Sequence, residues 1–151
     1  EHFALAGRGG SPFIDWTGAR DRAAQRIDHF NVVGQPETSV QALSGGNQQR
    51  LLLALLPLGL RVLLMERPTR GLDIESARWV WQQLLARREE GTAIIFTSAD
   101  LDELRERSDR IAVFYGGHMM SPLDTSQTTV EQLGYLIAGK TQGIEPGSHD
   151  T

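Results

Sequence analysis

Apolar positions in the first part of the chain recur at helical spacing. One such stripe is formed by Ala23, Ile27 and Phe30. Thr17 lies ahead of it and is a candidate N-cap. A second apolar helix follows the segment LSGG, and Pro57 should end it because proline cannot continue a helix. Residues 1–16 and 31–42 show no such period, and we expect both to be irregular.

Short apolar runs in the rest of the chain predict strands. The runs are RVLLM at 61–65, TAIIFT at 92–97 and RIAVFY at 110–115. The first is continuous enough for a strand covered on both faces, and the second also predicts a buried strand. Gly116 and Gly117 predict a turn from the third run into a short return strand, HMM.

Helices are predicted between and after these strands. Asp73 is the expected N-cap of a helix that runs to about Glu90 and is stopped by Gly91. Residues 100–107 form a shorter helix, and the apolar spacing around Leu133 predicts a last one. Strands that alternate with helices indicate an α/β fold with a mainly parallel sheet.

Composition limits the chemistry of this 151-residue chain. Hydrophobic residues make up 40% and charged residues 23%, as in a globular domain. The net charge of −4 argues against a nucleic-acid partner. The chain has no cysteine, and its four histidines are scattered, so no metal site is predicted. The apolar stretch 51–65 is too short to span a bilayer, and Arg20, Arg22 and Arg26 are expected on a solvated helix face.

The segment LSGGNQQR at 43–50 carries the first candidate chemistry. Ser44 can cap the following helix, and Gly45 and Gly46 have no Cβ to keep an anion from the backbone. The N–H groups of that first turn would then face a phosphate, with Asn47 adding a hydrogen bond. The alternative is a Ser-Gly-Gly turn that only begins a helix.

Four ordered motifs resemble the ATPase domains of ABC transporters. They are LSGGNQQR, which resembles the signature motif; PTRGLD at 68–73, the D-loop region; TSADLDEL at 97–104, the switch-histidine segment; and SDRIAVFYGG at 108–117. The resemblance covers about residues 1–139, and the sequence NQQR is similar to importers of simple sugars or nucleosides. It implies a partial P-loop NTPase (RecA-like) ABC ATPase lobe, the C-terminal part of a second nucleotide-binding domain in one polypeptide.

This resemblance also implies a division of the chain. Residues 1–60 would be the helical signature subdomain, 61–139 the C-terminal part of the RecA-like core, and 140–151 a disordered tail. The phosphate loop GxxxxGK[ST] is missing, and the glycine-rich GRGG at 7–10 lacks its lysine, so we interpret it as a loop. The sequence is therefore expected to be a fragment that is inactive by itself.

The residues that would serve this domain's own nucleotide depart from the family pattern. Alignment on Pro68 puts Glu66 at the Mg²⁺-associated aspartate and Arg67 at the catalytic glutamate, and Ala99 replaces the switch histidine. Arg67 cannot activate water because a guanidinium stays protonated and accepts no hydrogen bond. Alternatively, Glu66 is the catalytic glutamate and Met65 stands at the metal position. Arg67 could also simply pair with an acid such as Asp73 or Glu75.

The signature nevertheless matches the family, in which it acts on the ATP held by the partner domain. The resemblance assigns this contact in trans to Ser44, Gly45, Gly46, Asn47 and Gln48. It assigns Asp73, besides its capping role, to the surface that faces the opposite domain. ATP and Mg²⁺ are implied for the full-length protein, with none expected on the fragment.

The implied partners are the other nucleotide-binding domain, transmembrane permease subunits and, indirectly, a periplasmic or lipoprotein solute-binding protein. The protein would lie peripherally on the cytoplasmic side of the membrane. Two alternatives stay open at this point: a soluble ABC-type ATPase of DNA repair or translation, and a purely structural domain. Which solute is carried, sugar or nucleoside, is left open by the sequence.

Overall fold

The computed structural model describes residues 1–6 and 13–140, which form two compact units. The first unit is Glu1–Phe96, and the second begins at Thr97. The GRGG segment lies outside the described residues, and so does the predicted tail except for Lys140.

Helices of the first unit agree with the predicted periodicity except near the N-terminus. They are α1 (His2–Ala6), α2 (Trp16–His29), α3 (Gly45–Leu55) and α4 (Ile74–Glu89). Helix α1 lies in a segment expected to be irregular, so that prediction was wrong for these residues. The N-cap of α2 is Asp15, not Thr17, because the Asp15 carboxylate accepts the N–H of Gly18 at 2.9 Å.

The predicted limits of α3 and α4 are confirmed. Ser44 caps α3, and α3 ends two residues before Pro57. Asp73 caps α4, which ends just ahead of Gly91. Gly91 has a φ of +94°, a left-handed conformation that glycine adopts without steric cost.

The two longest strands are neighbours in a two-stranded sheet. They are β1 (Val62–Glu66) and β2 (Ala93–Thr97), and they are joined through α4. The predictions that β1 is covered on both faces and that β2 is buried were wrong for the described chain. Leu63 is buried, but Val62, Leu64 and Ile95 are 54%, 71% and 60% exposed. A strand made of apolar residues is covered on both faces only when other elements pack against both. Here the described residues cover one face of the strand.

One apolar core holds the first unit together. It combines buried side chains from the segment that directly follows α2 and from α3, β1 and α4, chiefly Phe30, Leu53, Leu63, Val80, Trp81 and Leu84. The Trp81 ring meets Phe96 edge to face, with centroids 4.8 Å apart. Leu53 and Leu63 share this core although they stand on opposite sides of residue 60. The division into subdomains at 60/61 stays a prediction.

The second unit is built from short antiparallel pairs and two helices. Its elements are α5 (Leu101–Arg107), β3 (Arg110–Ile111), β4 (Phe114–Tyr115), β5 (His118–Met119), β6 (Leu123–Asp124) and α6 (Val130–Ile137). β3 pairs with β6, with Ile111 opposite Leu123. β4 pairs with β5, with Tyr115 opposite His118. The core side chains are Ile111, Val113, Leu133 and Leu136.

The predicted single strand 110–115 was wrong in its continuity. It is split into β3 and β4, and each piece pairs with a different partner, in both cases antiparallel. The predicted turn and return strand are confirmed, since Gly116 and Gly117 have φ values of +57° and +82° and lead into β5. Among the described residues, no helix is long and apolar enough to cross a membrane.

Candidate functional site

The start of α3 presents unpaired backbone donors to the surface. Ser44 is the N-cap, and its side-chain oxygen accepts the N–H of Asn47 at 3.4 Å. In the described part of the chain, the N–H groups of Gly45 and Gly46 have no acceptor, as the geometry of a first helical turn dictates. Gly45 is exposed, and a Cβ built on it would meet nothing within 4 Å. Gly45 therefore leaves the start of this turn open to a ligand from outside, whereas Gly46 is half-buried.

The side chain of Asn47 joins this first turn to the chain that follows α2. Its Oδ1 accepts the N–H of Val33 at 2.8 Å, and its Nδ2 donates to Ser44 Oγ at 3.0 Å. Val33 is placed for this bond by Asn31, whose φ of +50° turns the backbone out of α2. Asn47 is thus a link between two segments of the fold.

Gln48 uses its amide nitrogen inside the protein. Nε2 donates to the carbonyl of Val40 at 3.2 Å and to that of Leu43 at 3.1 Å. An amide nitrogen carries two hydrogens, and both are taken by these carbonyls. The remaining oxygen can only accept, so this side chain is unsuited to bind an anion. The predicted contact of Gln48 with ATP receives no support from this geometry.

The next two residues of the motif, which the predicted site omitted, attach α3 to α4 and the loop before it. Gln49 Nε2 donates to the carbonyl of Pro68 at 2.9 Å. Arg50 donates to the carbonyl of Phe30 at 3.4 Å, and its guanidinium lies 4.2 Å from the centroid of the Trp79 ring. The opening SGG therefore presents donors, whereas each side chain of NQQR holds the helix in place.

Asp73 and Gly46 bring the starts of α4 and α3 together. The Asp73 carboxylate accepts the N–H of Ser76 at 2.8 Å and its hydroxyl at 2.9 Å. These bonds from the Ser76 backbone and then its side chain lower the pKa of Asp73 from its ordinary value. A Cβ on Gly46 would lie 2.8 Å from Ser76 Oγ, so any larger residue here would force the Ser76 hydroxyl to shift. The sequence did not lead us to predict Ser76 as part of this site. Ser76 nevertheless stands three residues after the cap Asp73, at the position whose backbone N–H an N-cap side chain commonly accepts.

An open cavity of about 460 Å³ lies where these two helix starts meet. Its lining includes Ser44, Gly46, Asn47, Arg50, Asp73 and Ser76. Four predicted site residues are thereby brought together. A larger cavity of about 660 Å³, beside α1, α2 and the loop after α2, is lined by none of the predicted site residues.

The other predicted positions lie elsewhere. Glu66 ends β1 and is exposed, and the exposed Arg67 follows it with a φ of +47°, unusual for a side chain with a Cβ. Within the described residues, Arg67 forms no ion pair with Asp73 or Glu75. Ala99 belongs to the second unit, just before Asp100, the cap of α5. In the described ranges, no group of three acidic or histidine side chains could hold a metal ion.

Two arginines bind the C-terminal end of α3. Arg26 donates to the carbonyl of Leu56 at 3.0 Å. Arg87, which is 6% exposed, donates to the carbonyls of Pro57 at 2.9 Å and Leu53 at 3.4 Å. Burial, and then the nearby Arg26, lower the pKa of Arg87. The prediction of a solvated arginine face was wrong for Arg26, which complements the negative end of a helix.

Comparisons with known proteins fit this arrangement, although no protein-family model matches the chain. It is 35% identical over 129 residues to the nucleoside import ATP-binding protein NupA of Lactococcus lactis subsp. cremoris, which is 84% of this chain and 26% of that protein. It is 36% identical over 105 residues to the ribose import ATP-binding protein RbsA of Bacillus subtilis, covering 69% and 21%.

A solved structure shows the same fold. It is the ATP-binding cassette MJ0796 in a dimeric post-hydrolysis state bound to ADP and Pi, with a TM-score of 0.63 and 22% identity. The match covers 82% of this chain and 53% of that one. The chain spans about a quarter of the length of the curated relatives that it matches. From sequence similarity and fold together, the chain belongs to the ATP-binding proteins with the ABC ATPase fold.

Proposed function

We propose that this chain is part of the ATP-binding and ATP-hydrolysing subunit of an ABC importer for simple sugars or nucleosides. Its role there is to supply the signature turn, in trans, to ATP held by a partner nucleotide-binding domain. The observation that supports this most strongly is the open first turn of α3. There the N–H groups of Gly45 and Gly46 have no acceptor in the described residues, and Gly45 is exposed.

The contacts that we propose come from the SGG segment. Two backbone N–H groups and the Ser44 hydroxyl can donate to a phosphate, which only accepts. Asn47 and Gln48 spend most of their hydrogen-bonding capacity on the protein itself. Asp73 is likewise engaged with Ser76, so its carboxylate is held at the start of α4.

The nucleotide site that this domain would build for itself is degenerate. An arginine at position 67 offers no group that could activate water, and an alanine at position 99 offers none that could bond a γ-phosphate. We therefore propose an asymmetric pair in which the site completed by this signature hydrolyses ATP. The isolated chain should neither bind Mg-ATP tightly nor hydrolyse it. A titration with Mg-ATP should leave its melting temperature unchanged, because stabilisation requires binding to the folded form.

The partners follow from the same proposal. They are a second nucleotide-binding domain, in the first half of one polypeptide, and transmembrane permease subunits that link it to an external solute-binding protein. Mg²⁺ would accompany the ATP. The subunit would lie peripherally on the inner face of the membrane. Relatives named for nucleoside and for ribose import support this class of solute without choosing between the two.

Gly45→Ala in the full-length ATPase tests the proposal. The new methyl meets no atom of this chain within 4 Å, so the free energy of unfolding should not fall. It would, however, stand where an anion must approach the amides, so ATP hydrolysis should drop roughly tenfold or more. Gly134→Ala is the matched control, because it adds a methyl to open space on α6 and should leave hydrolysis unchanged. Full activity of Gly45→Ala would rule out the contact.

Arg67→Glu tests the asymmetry. If this domain's own site is not used, restoring a carboxylate at one of its altered positions should change the hydrolysis rate less than about twofold. A strong rise in rate would show instead that Arg67 alone silences an otherwise complete site.

A further inference from the structure

We propose that Asn47 is a positioning residue that turns the Ser44 hydroxyl into a dedicated hydrogen-bond donor. This inference rests on the proposed function, because it concerns how the same signature turn donates hydrogen bonds to a phosphate. The observation behind it is the chain of bonds that runs from the N–H of Val33 through the Asn47 amide to Ser44 Oγ.

The orientation of the Asn47 amide is fixed by its neighbours. The backbone N–H of Val33 can only donate, so the group 2.8 Å away must be the Asn47 oxygen. The amide nitrogen therefore faces Ser44, where it donates at 3.0 Å. Rotating the Asn47 amide would place its nitrogen, a donor, against the N–H of Val33, which is also a donor. The backbone N–H of Val33 therefore fixes which end of the amide faces Ser44.

The hydroxyl of Ser44 has one hydrogen to donate and two lone pairs to accept with. Both lone pairs are engaged by Asn47, one by its backbone N–H at 3.4 Å and one by Nδ2 at 3.0 Å. Within the described residues, the Ser44 hydrogen has no acceptor. What the hydroxyl can still do is donate, and phosphate oxygens accept. Asn47 thereby leaves the Ser44 hydroxyl as a hydrogen-bond donor only, like the N–H groups of Gly45 and Gly46. All three groups then suit an anion, which accepts hydrogen bonds.

One hydrogen of Asn47 Nδ2 stays available, so a direct contact with the nucleotide is the competing explanation. A double-mutant cycle in the full-length ATPase separates the two. Ser44→Ala should lower kcat/KM for ATP about 10- to 100-fold, as expected for a bond to a charged group. If Asn47 acts through Ser44, Asn47→Ala should lower kcat/KM in the native background and change it less than about twofold when Ser44 is already alanine.

Two further variants keep the test specific. Gln49→Ala removes an amide of the same helix that bonds the Pro68 carbonyl and not Ser44, so its effect should be equal in both Ser44 backgrounds. Asn47→Asp retains an acceptor for Val33 but offers Ser44 an acceptor in place of a donor. It should keep the melting temperature within about 2 °C and lose at least as much activity as Ser44→Ala.

The outcomes distinguish this inference from the proposed function. Unchanged activity of Ser44→Ala would overturn the use of the signature turn, and the positioning role with it. A loss in Ser44→Ala combined with additive effects of Asn47→Ala would leave the signature in place and overturn the positioning role. The positioning role would also be overturned if Asn47→Asp were as active as the native protein.

Discussion

Arg87 at the far end of the signature helix allows a direct test of how α3 is held. The side chain is 6% exposed and reaches the carbonyls of Pro57 and Leu53 with two separate nitrogens. Arg87→Met keeps a long, unbranched apolar stem of similar length but removes every donor. The perturbation therefore isolates the two hydrogen bonds from the packing of the stem.

The cost of this substitution can be estimated from the surroundings of the two carbonyls. Leu53 is 0% exposed, but its carbonyl also accepts the N–H of Leu56 at 3.3 Å, so it keeps a partner and losing the Arg87 bond costs about 1 kcal/mol. Pro57 is exposed, and its carbonyl can turn to water for about 1 kcal/mol or less. The variant no longer has to bury a charged guanidinium, and this gain in stability offsets part of the cost of the lost hydrogen bonds. We expect a net loss of about 1 kcal/mol, or about 2–4 °C in Tm for a chain of 151 residues.

Urea unfolding followed by tryptophan fluorescence is the appropriate measurement, since Trp79 and Trp81 lie on the helix that carries Arg87. The midpoint should fall while the m-value stays constant, because the folded surface is unchanged. Arg78→Met is the matched control: it removes the same charge from the same helix at an exposed position, and should shift stability by less than about 0.5 kcal/mol. Equal midpoints for the two variants would refute the claim that Arg87 stabilises the end of α3.

Three further predictions test other contacts of the first unit. Gly46→Ala should lower the urea midpoint, because the new Cβ would displace the Ser76 hydroxyl, and the loss should shrink in a Ser76→Ala background; an unchanged midpoint would contradict the close approach. Asp73→Ala should destabilise the chain at neutral pH. The folded pKa of this carboxyl lies below its ordinary 3.8, so its contribution is present above pH 3.8 and is lost as pH falls through the lower folded value. A difference from the native chain that persisted unchanged under acid conditions would refute this origin. Finally, Leu63→Ala should cost about 2–4 kcal/mol and Leu64→Ala less than about 0.5 kcal/mol, since only Leu63 is buried; similar losses would contradict burial on one face.

Features decided by a few neighbouring residues were predictable from the sequence. Ser44 and Asp73 each cap a helix by bonding a backbone N–H three residues later, so the pattern that predicts them lies within one turn of chain. The Gly116-Gly117 turn is equally local. The prediction of Thr17 as an N-cap was wrong for an equally local reason. Asp15, two residues earlier, is a competing cap of comparable strength.

Features that depend on distant partners were not predictable in the same way. The apolar run of β1 indicates that both faces can be buried, but whether they are depends on which elements pack there. In the described chain, Leu63 finds the core of α3 and α4, whereas Leu64 remains 71% exposed. The run 110–115 likewise contains nothing that indicates its division into β3 and β4. That division follows from pairing with β6 and β5, which come later in the chain.

The predicted site shows the same limit at the level of single side chains. Serine, glycine, asparagine and glutamine all carry groups that can donate to a phosphate, so their chemistry agrees with the resemblance, which grouped Asn47 and Gln48 with Ser44, Gly45 and Gly46. The carbonyls of Val40 and Leu43 and the N–H of Val33 compete for those amides, and the fold brings them within 3.2 Å. An internal partner is always present, whereas a ligand binds only part of the time. The side-chain amides of Asn47 and Gln48 are therefore better suited to hold the turn. The proposed function then accounts for the order of LSGGNQQR: the residues without obstructing side chains would face the ligand, and the residues with long polar side chains fix their position.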